Sequence, residues 1–155
     1  MGVHGQLKIF ENKEFVAEIK GRNIKFEQGV TNARYTDHNS SVDIFVKGRP
    51  ELNIEIKNYH GSTKISKDVL KSQFIERDLF NAKNLNEIRW YQVGTSKTSK
   101  DEIINMLKTK ECREALEKLS NTKKNMIFKN YNTIDGVTDK NLEQFISDNF
   151  NTIFK

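Results

Sequence analysis

The sequence predicts an α/β domain, a mixed central β-sheet flanked by helices, across the whole of residues 1–155. Two short segments of period-two alternation lie on either side of a Gly48-Arg49-Pro50 turn. After them, helix-patterned and strand-patterned segments alternate, and no Gly/Ser-rich linker or internal repeat divides the chain. Strands separated by a helix imply parallel pairing and a hairpin implies antiparallel pairing, so the sheet is expected to be mixed.

Residues 9–20 (IFENKEFVAEIK) carry a helical pattern that Gly21 closes, and residues 23–30 are expected to be extended. In residues 42–46 (VDIFV), Val42, Ile44 and Val46 share one strand face while Asp43 and Phe45 take the other. In residues 52–57 (LNIEIK), Leu52, Ile54 and Ile56 share a face and leave Glu55 and Lys57 side by side opposite. A helix over 68–85 follows, then a strand over 88–93 (IRWYQV) with Trp90 and Tyr91 in the core. Ser99 and Glu102 form a capping box that opens a helix over 99–119. Residues 125–129 (NMIFK) read as a short strand, and residues 138–150 as an amphipathic helix with Leu142, Phe145, Ile146 and Phe150 inward. The predicted order is αβββαβαβα.

Composition narrows the functional classes. Cys112 is the only cysteine, so neither an intrachain disulfide nor a Cys-rich zinc cage can be built from this chain. No run of about 18 apolar residues is present and the opening MGVHGQLK lacks the regions of a signal peptide, so no membrane insertion is expected. A net charge of +5 with a pI near 9.2 favours acidic partners such as a phosphate backbone.

The hairpin brings Asp43, Glu55 and Lys57 to one place on one sheet face. Two carboxylates suit a hard divalent ion, Mg²⁺ foremost, which takes one or two protein carboxylates and leaves its other positions to water and phosphate oxygens. A lysine beside them can stabilise charge developing on phosphorus, so phosphodiester hydrolysis fits these groups best. His38 and His60 flank the two strands and, with the acids, would also suit Zn²⁺; Mn²⁺ is a further alternative. Tyr59 extends the Glu55 strand on its active face. Lys64, Lys67 and Lys71, with Arg22 and Arg34, form one candidate phosphate track, and Lys108, Lys110, Lys123 and Lys124 a second cluster.

On these residues the chain resembles the PD-(D/E)xK nuclease superfamily, the restriction-endonuclease-like fold, whose core order αβββαβ matches the first two thirds; extra C-terminal helices follow. Ser41-Val42-Asp43 stands for the aspartate strand, with Val42 where the family usually has proline, and Ile54-Glu55-Ile56-Lys57 for the E-x-K strand. The resemblance implies a metal held by Asp43, Glu55 and the backbone carbonyl of Ile56, with Lys57 assisting the water or the phosphate. It also implies a glutamate on the first helix. Glu11, Glu14 and Glu18 fall on one helical stripe, so phase does not choose among them; Glu14, just before the Phe15-Val16 pair, best matches the family's placement.

The stretch 55–80, with Gln73 on the helix after E-x-K, resembles more narrowly the C-terminal toxin nuclease domains of bacterial contact-dependent growth inhibition and related polymorphic toxin proteins. That resemblance implies Gln73 at the active site and a metal-dependent endonuclease acting on DNA, or alternatively tRNA. It further implies delivery within a larger secreted or cell-surface protein, action in the target-cell cytoplasm, and neutralisation by a cognate immunity protein. The competing readings are a housekeeping or phage nuclease for repair or restriction, and a non-catalytic nucleic-acid-binding module.

Overall fold

Asn12 caps a helix by accepting a hydrogen bond from the Phe15 backbone N–H at 3.0 Å in the computed structural model, which describes residues 8–33, 35–129 and 136–155. Helix α1 (Lys13–Ile19) follows, and Gly21 ends it at φ +72°, a conformation that only glycine adopts without strain. The expected single helix over 9–20 is interrupted: Lys8 and Ile9 are helical, and a turn in which Glu11 and Asn12 bond back to their carbonyls separates them from α1.

Strands β1 (Ile24–Asn32), β2 (Tyr35–Val46), β3 (Leu52–Lys57) and β4 (Ile88–Gln92) form one sheet in the order β1-β2-β3-β4. The first three are antiparallel and β3 pairs parallel to β4, so the mixed sheet stands as expected. The turn at 48–50 joins β2 to β3. From β3 the chain crosses over through α2 (Lys67–Val69), capped by Ser66, which runs on without a break as a π-helix over Leu70–Leu79. A 3₁₀ turn (Leu85–Glu87) with an Asn84/Glu87 capping box leads into β4, so the helix expected to reach residue 85 ends earlier.

Helices α3 (Lys100–Leu107), α4 (Lys110–Glu117), α5 (Asn121–Ile127) and α6 (Asp139–Ile153) complete the chain. The Ser99/Glu102 capping box is in place, but the helix expected over 99–119 breaks at Thr109, which stands at the start of α4. The strand expected at 125–129 is corrected to helix: Ser120 caps α5, and Ile127 and Phe128 are buried in the core beside the C-terminal helices. A run of three apolar residues fits a buried helix as well as a strand.

The sheet separates two apolar layers. On one side Ile44, Val46, Leu52, Ile54, Ile56 and Tyr91 pack against Phe15 of α1. On the other, Trp90 and Ile88 of β4 meet the π-helix and the C-terminal helices, with Phe74 edge-on to Trp90 at 5.8 Å between ring centroids. The chain end closes the outer edge of β4: Lys155 N–H donates to the Trp90 carbonyl and Gln92 N–H to the Lys155 carbonyl, each at 2.8 Å. Among the described residues no helix is long and apolar enough to cross a membrane.

Candidate active site

The register of the β2–β3 pair sets the site. Ile44 lies opposite Ile54 on the α1 face, so the adjoining residues Asp43 and Glu55 turn to the other face, where the π-helix packs. Lys57 follows Glu55 on that face, and Trp90 of β4 lies beside Glu55 across the parallel pair. Beyond Ile44–Ile54, side chains take over work that strand pairing does below it. Asp43 Oδ2 accepts the Ile56 N–H at 2.7 Å, and the Ser41 carbonyl accepts from Arg77 Nη1 at 2.8 Å. Backbone groups that would otherwise be buried without partners are thereby satisfied.

The π-helix supplies the roof through Gln73, Arg77 and Asp78. Lys57 Nζ donates to Glu55 Oε1 at 2.8 Å and to Gln73 Oε1 at 2.6 Å, and stands 5.2 Å from the centre of the Trp90 ring. Arg77 Nη2 donates to Glu55 Oε2 at 2.8 Å, so each oxygen of Glu55 meets a different cation. Arg77 Nε donates to Asp78 Oδ1 at 2.8 Å, and Trp90 Nε1 donates to Asp78 Oδ2 at 2.7 Å. These bonds tie both central strands to one turn of one helix.

All five charged residues are nearly inaccessible: Asp43 is 4% exposed, Glu55 5%, Lys57 8%, Arg77 2% and Asp78 4%. Two cations face three carboxylates in this space. The surplus falls on Asp43, whose pKa is pushed up to about 6, first by burial and then by the Glu55 charge, against the pull of the Ile56 N–H and Lys57. Burial also raises the pKa of Asp78 against the pull of Arg77. Its partners Arg77 and Trp90 can only donate, however, so both Asp78 oxygens act as acceptors, the arrangement of an ionised carboxylate. Burial acts to lower the Arg77 pKa, but the charges of Asp78 and Glu55 outweigh it and hold the guanidinium ionised.

Paired carboxylates are the donor type that a hard divalent cation takes, although here Asp43 Oδ2 and both Glu55 oxygens already accept hydrogen bonds. Burial first and the Glu55 charge second raise Asp43, and a divalent cation between the two carboxylates would oppose both effects. No group of three or more His, Cys, Asp or Glu side chains suited to a metal occurs among the described residues. An ion here would therefore rest on two carboxylates, a backbone carbonyl such as that of Ile56, and water, a set that suits Mg²⁺ better than Zn²⁺.

Asp43, Glu55, Lys57, Ile56 and Gln73 thus come together, and Glu14 does not join them. Glu14 is exposed and pairs with Lys155 at 2.9 Å, which lowers its pKa. Glu11 is exposed, and Glu18 accepts from Arg89 at 3.0 Å and from the Tyr91 hydroxyl, so none of the three stripe acids reaches the cluster. His60 is exposed and bonds Thr95 and Asn58, while the side chain of His38 and residue Arg34 lie outside the described residues. Tyr59 packs against the larger core. Lys64, Lys67 and Lys71 pair with Glu102, Glu111 and Glu76, and Arg22 bonds the carbonyls of Lys47 and Pro50. Lys108 and Lys110 pair with Glu143 and Glu114.

Arg77 and Asp78 were not foreseen. The only sequence signal for Arg77 is its place on the same helical stripe as Gln73, four residues on, and nothing local marks Asp78.

Fold and site together define an α/β protein with a desolvated carboxylate–lysine cluster between a central strand and a crossover helix. The chain matches no protein-family model, no curated protein and no solved structure.

Proposed function

We propose that this chain is a metal-dependent endonuclease with a restriction-endonuclease-like core, hydrolysing phosphodiester bonds, with DNA favoured over tRNA. The observation that carries the reading is the meeting of Asp43, Glu55 and Lys57 on one sheet face, with two cations set against three carboxylates. The element order from α1 to β4 supports it as well, since it is the αβββαβ order of the superfamily that the sequence resembles.

A divalent ion held by Asp43 and Glu55 would neutralise charge on a phosphodiester and lower the pKa of water. Gln73 holds Lys57 beside the acid pair, and the third ammonium hydrogen would be available to a phosphate oxygen as charge grows on it. Arg77 fixes the Glu55 carboxylate from behind and Asp78 fixes Arg77, so the acid that would bind the ion is oriented before substrate arrives. The biological setting we propose is a toxin domain carried to a competing bacterium within a larger protein, acting in its cytoplasm and neutralised in the producer by an immunity protein.

One observation favours a rival. Both oxygens of Glu55 are already engaged by Lys57 and Arg77, as expected of a purely structural ion cluster in a non-catalytic binding module. Supercoiled plasmid and total tRNA, each incubated with Mg²⁺, Mn²⁺, Zn²⁺ or EDTA, separate the two. The nuclease reading expects metal-dependent cutting that Asp43→Ala and Lys57→Ala abolish. Intact substrates under every metal would overturn the nuclease reading in favour of the binding module.

A further inference from the structure

A cleft of about 550 Å³, lined by none of the acid-cluster residues, lies between the π-helix, Ala33 after β1 and the α4–α5 junction. Its floor is apolar, with Ala115 and Leu119 buried, and Phe80 borders it at 39% exposure, one of the few large apolar side chains left open to water. Its rim is cationic. Lys71 is matched by Glu76 at 3.8 Å, which leaves Lys118 and Lys123. Lys123 donates to the Ala82 carbonyl, a neutral acceptor, which leaves two further donor hydrogens and no paired carboxylate among the described residues. Lys118 is exposed and makes no ion pair among the described residues.

An exposed aromatic ring bordering an apolar floor, with two ammonium groups at the rim, is complementary to a planar base carrying a phosphate. Aromatic platforms beside cations hold single-stranded nucleic acid in this way, because every base offers a π-face and every linkage a charge. A duplex keeps its bases stacked and cannot offer one to the ring.

We propose that this cleft is a second nucleic-acid subsite that takes one unstacked nucleotide of a single-stranded segment, its base on Phe80 and its phosphate at Lys118 and Lys123. The inference deepens the nucleic-acid reading above by assigning a substrate class, and it does not depend on cleavage.

The test uses fluorescence anisotropy on the Asp43→Asn protein, so that binding is read without hydrolysis. Fluorescein-labelled single strands of about twelve nucleotides, DNA and RNA, are compared with a blunt duplex, with AMP and with a polyglutamate peptide as competitors. Phe80→Ala is expected to weaken single-strand binding about tenfold and to leave the duplex unaffected. Lys118→Ala is expected to reduce the slope of log affinity against log salt by about one, which a merely structural change would not do.

Single-strand affinity that neither variant alters overturns the subsite. So does AMP displacing the strand at equal affinity, which would make the cleft a mononucleotide site, or capture of polyglutamate in preference to the strand. Plasmid or tRNA cutting that persists while the two variants bind normally defeats this proposal alone. Strand binding that depends on Phe80 without any cutting defeats the nuclease alone.

Discussion

Asp43 sits where burial and the neighbouring Glu55 both resist its ionisation, so its carboxyl titrates near 6 in place of the ordinary 3.8. A folded-state pKa raised above the unfolded value leaves stability intact below about pH 4 and removes it as the pH climbs through about 6. That rise from 3.8 to about 6 amounts to roughly 3 kcal/mol lost by neutral pH. Urea denaturation from pH 4 to pH 8 in EDTA should trace that decline, and both Asp43→Asn and millimolar Mg²⁺ should flatten it. Cleavage should rise over the same interval, since the ionised carboxylate is the form that binds a cation. Arg77 answers to a different rule. Its removal leaves Asp78 buried without a counter-charge and Glu55 with Lys57 alone, so Arg77→Ala should cost about 3–5 kcal/mol in the same denaturation assay. Arg77→Lys should recover only part, because an ammonium cannot span Ser41, Glu55 and Asp78 as the planar fork does.

At the scale of elements, the exits of β3 and β4 are held together just beyond the site. Val93 N–H donates to the Lys57 carbonyl and Ser96 N–H to the Tyr59 carbonyl, each at 2.9 Å, and Gly94 lies between them. A Cβ at Gly94 would overlap the Tyr59 backbone, which cannot yield as a flexible side chain does. Gly94→Ala should therefore lower stability by at least about 1–3 kcal/mol, read as a drop in melting temperature, and should displace Lys57 enough to reduce cleavage. The strands that carry the site were legible because their period is two: aliphatic residues at Ile44, Ile54 and Ile56 fix which way Asp43, Glu55 and Lys57 point. Residues 125–129 misled because Met126, Ile127 and Phe128 are a short apolar run without a period, and the decisive feature, the Ser120 cap, lies upstream. The break at Thr109 lacks glycine and proline, and the first-helix acids depend on partners such as Lys155, 141 residues distant from Glu14, which no local pattern reveals.

For the whole molecule, helix α1 and the segment at Phe154 and Lys155 meet the same sheet from opposite layers. Helix α1 covers one face, while Phe154 inserts beneath the other, 5.2 Å from Phe74 and 5.8 Å from Trp90 between ring centroids. Phe154 is 4% exposed, and the next residue completes the edge of β4. Phe154→Ala should thus cost about 3–5 kcal/mol, measured by urea denaturation, and should loosen β4 beside the acid cluster. Hydrogen exchange should show that effect as faster exchange at Gln92, whose N–H bonds the Lys155 carbonyl. The surface cations have a weaker claim. Most of those expected to form a phosphate track are matched by a nearby carboxylate, so the net charge of +5 is spread over the surface and is not gathered at the acid site.

Trp90 is the only tryptophan in the chain, and its ring and its indole N–H touch opposite halves of the charged cluster: the Lys57 ammonium above the ring, the Asp78 carboxylate at the nitrogen. The molecule therefore carries its own optical probe, with no label to attach and no second indole to confuse the signal. Emission excited at the indole band should change in intensity as a divalent cation draws Glu55 away from Lys57. Titration of the unmodified protein with Mg²⁺ or Mn²⁺ would then report affinity directly, and Asp43→Asn should leave the spectrum unchanged by the ion.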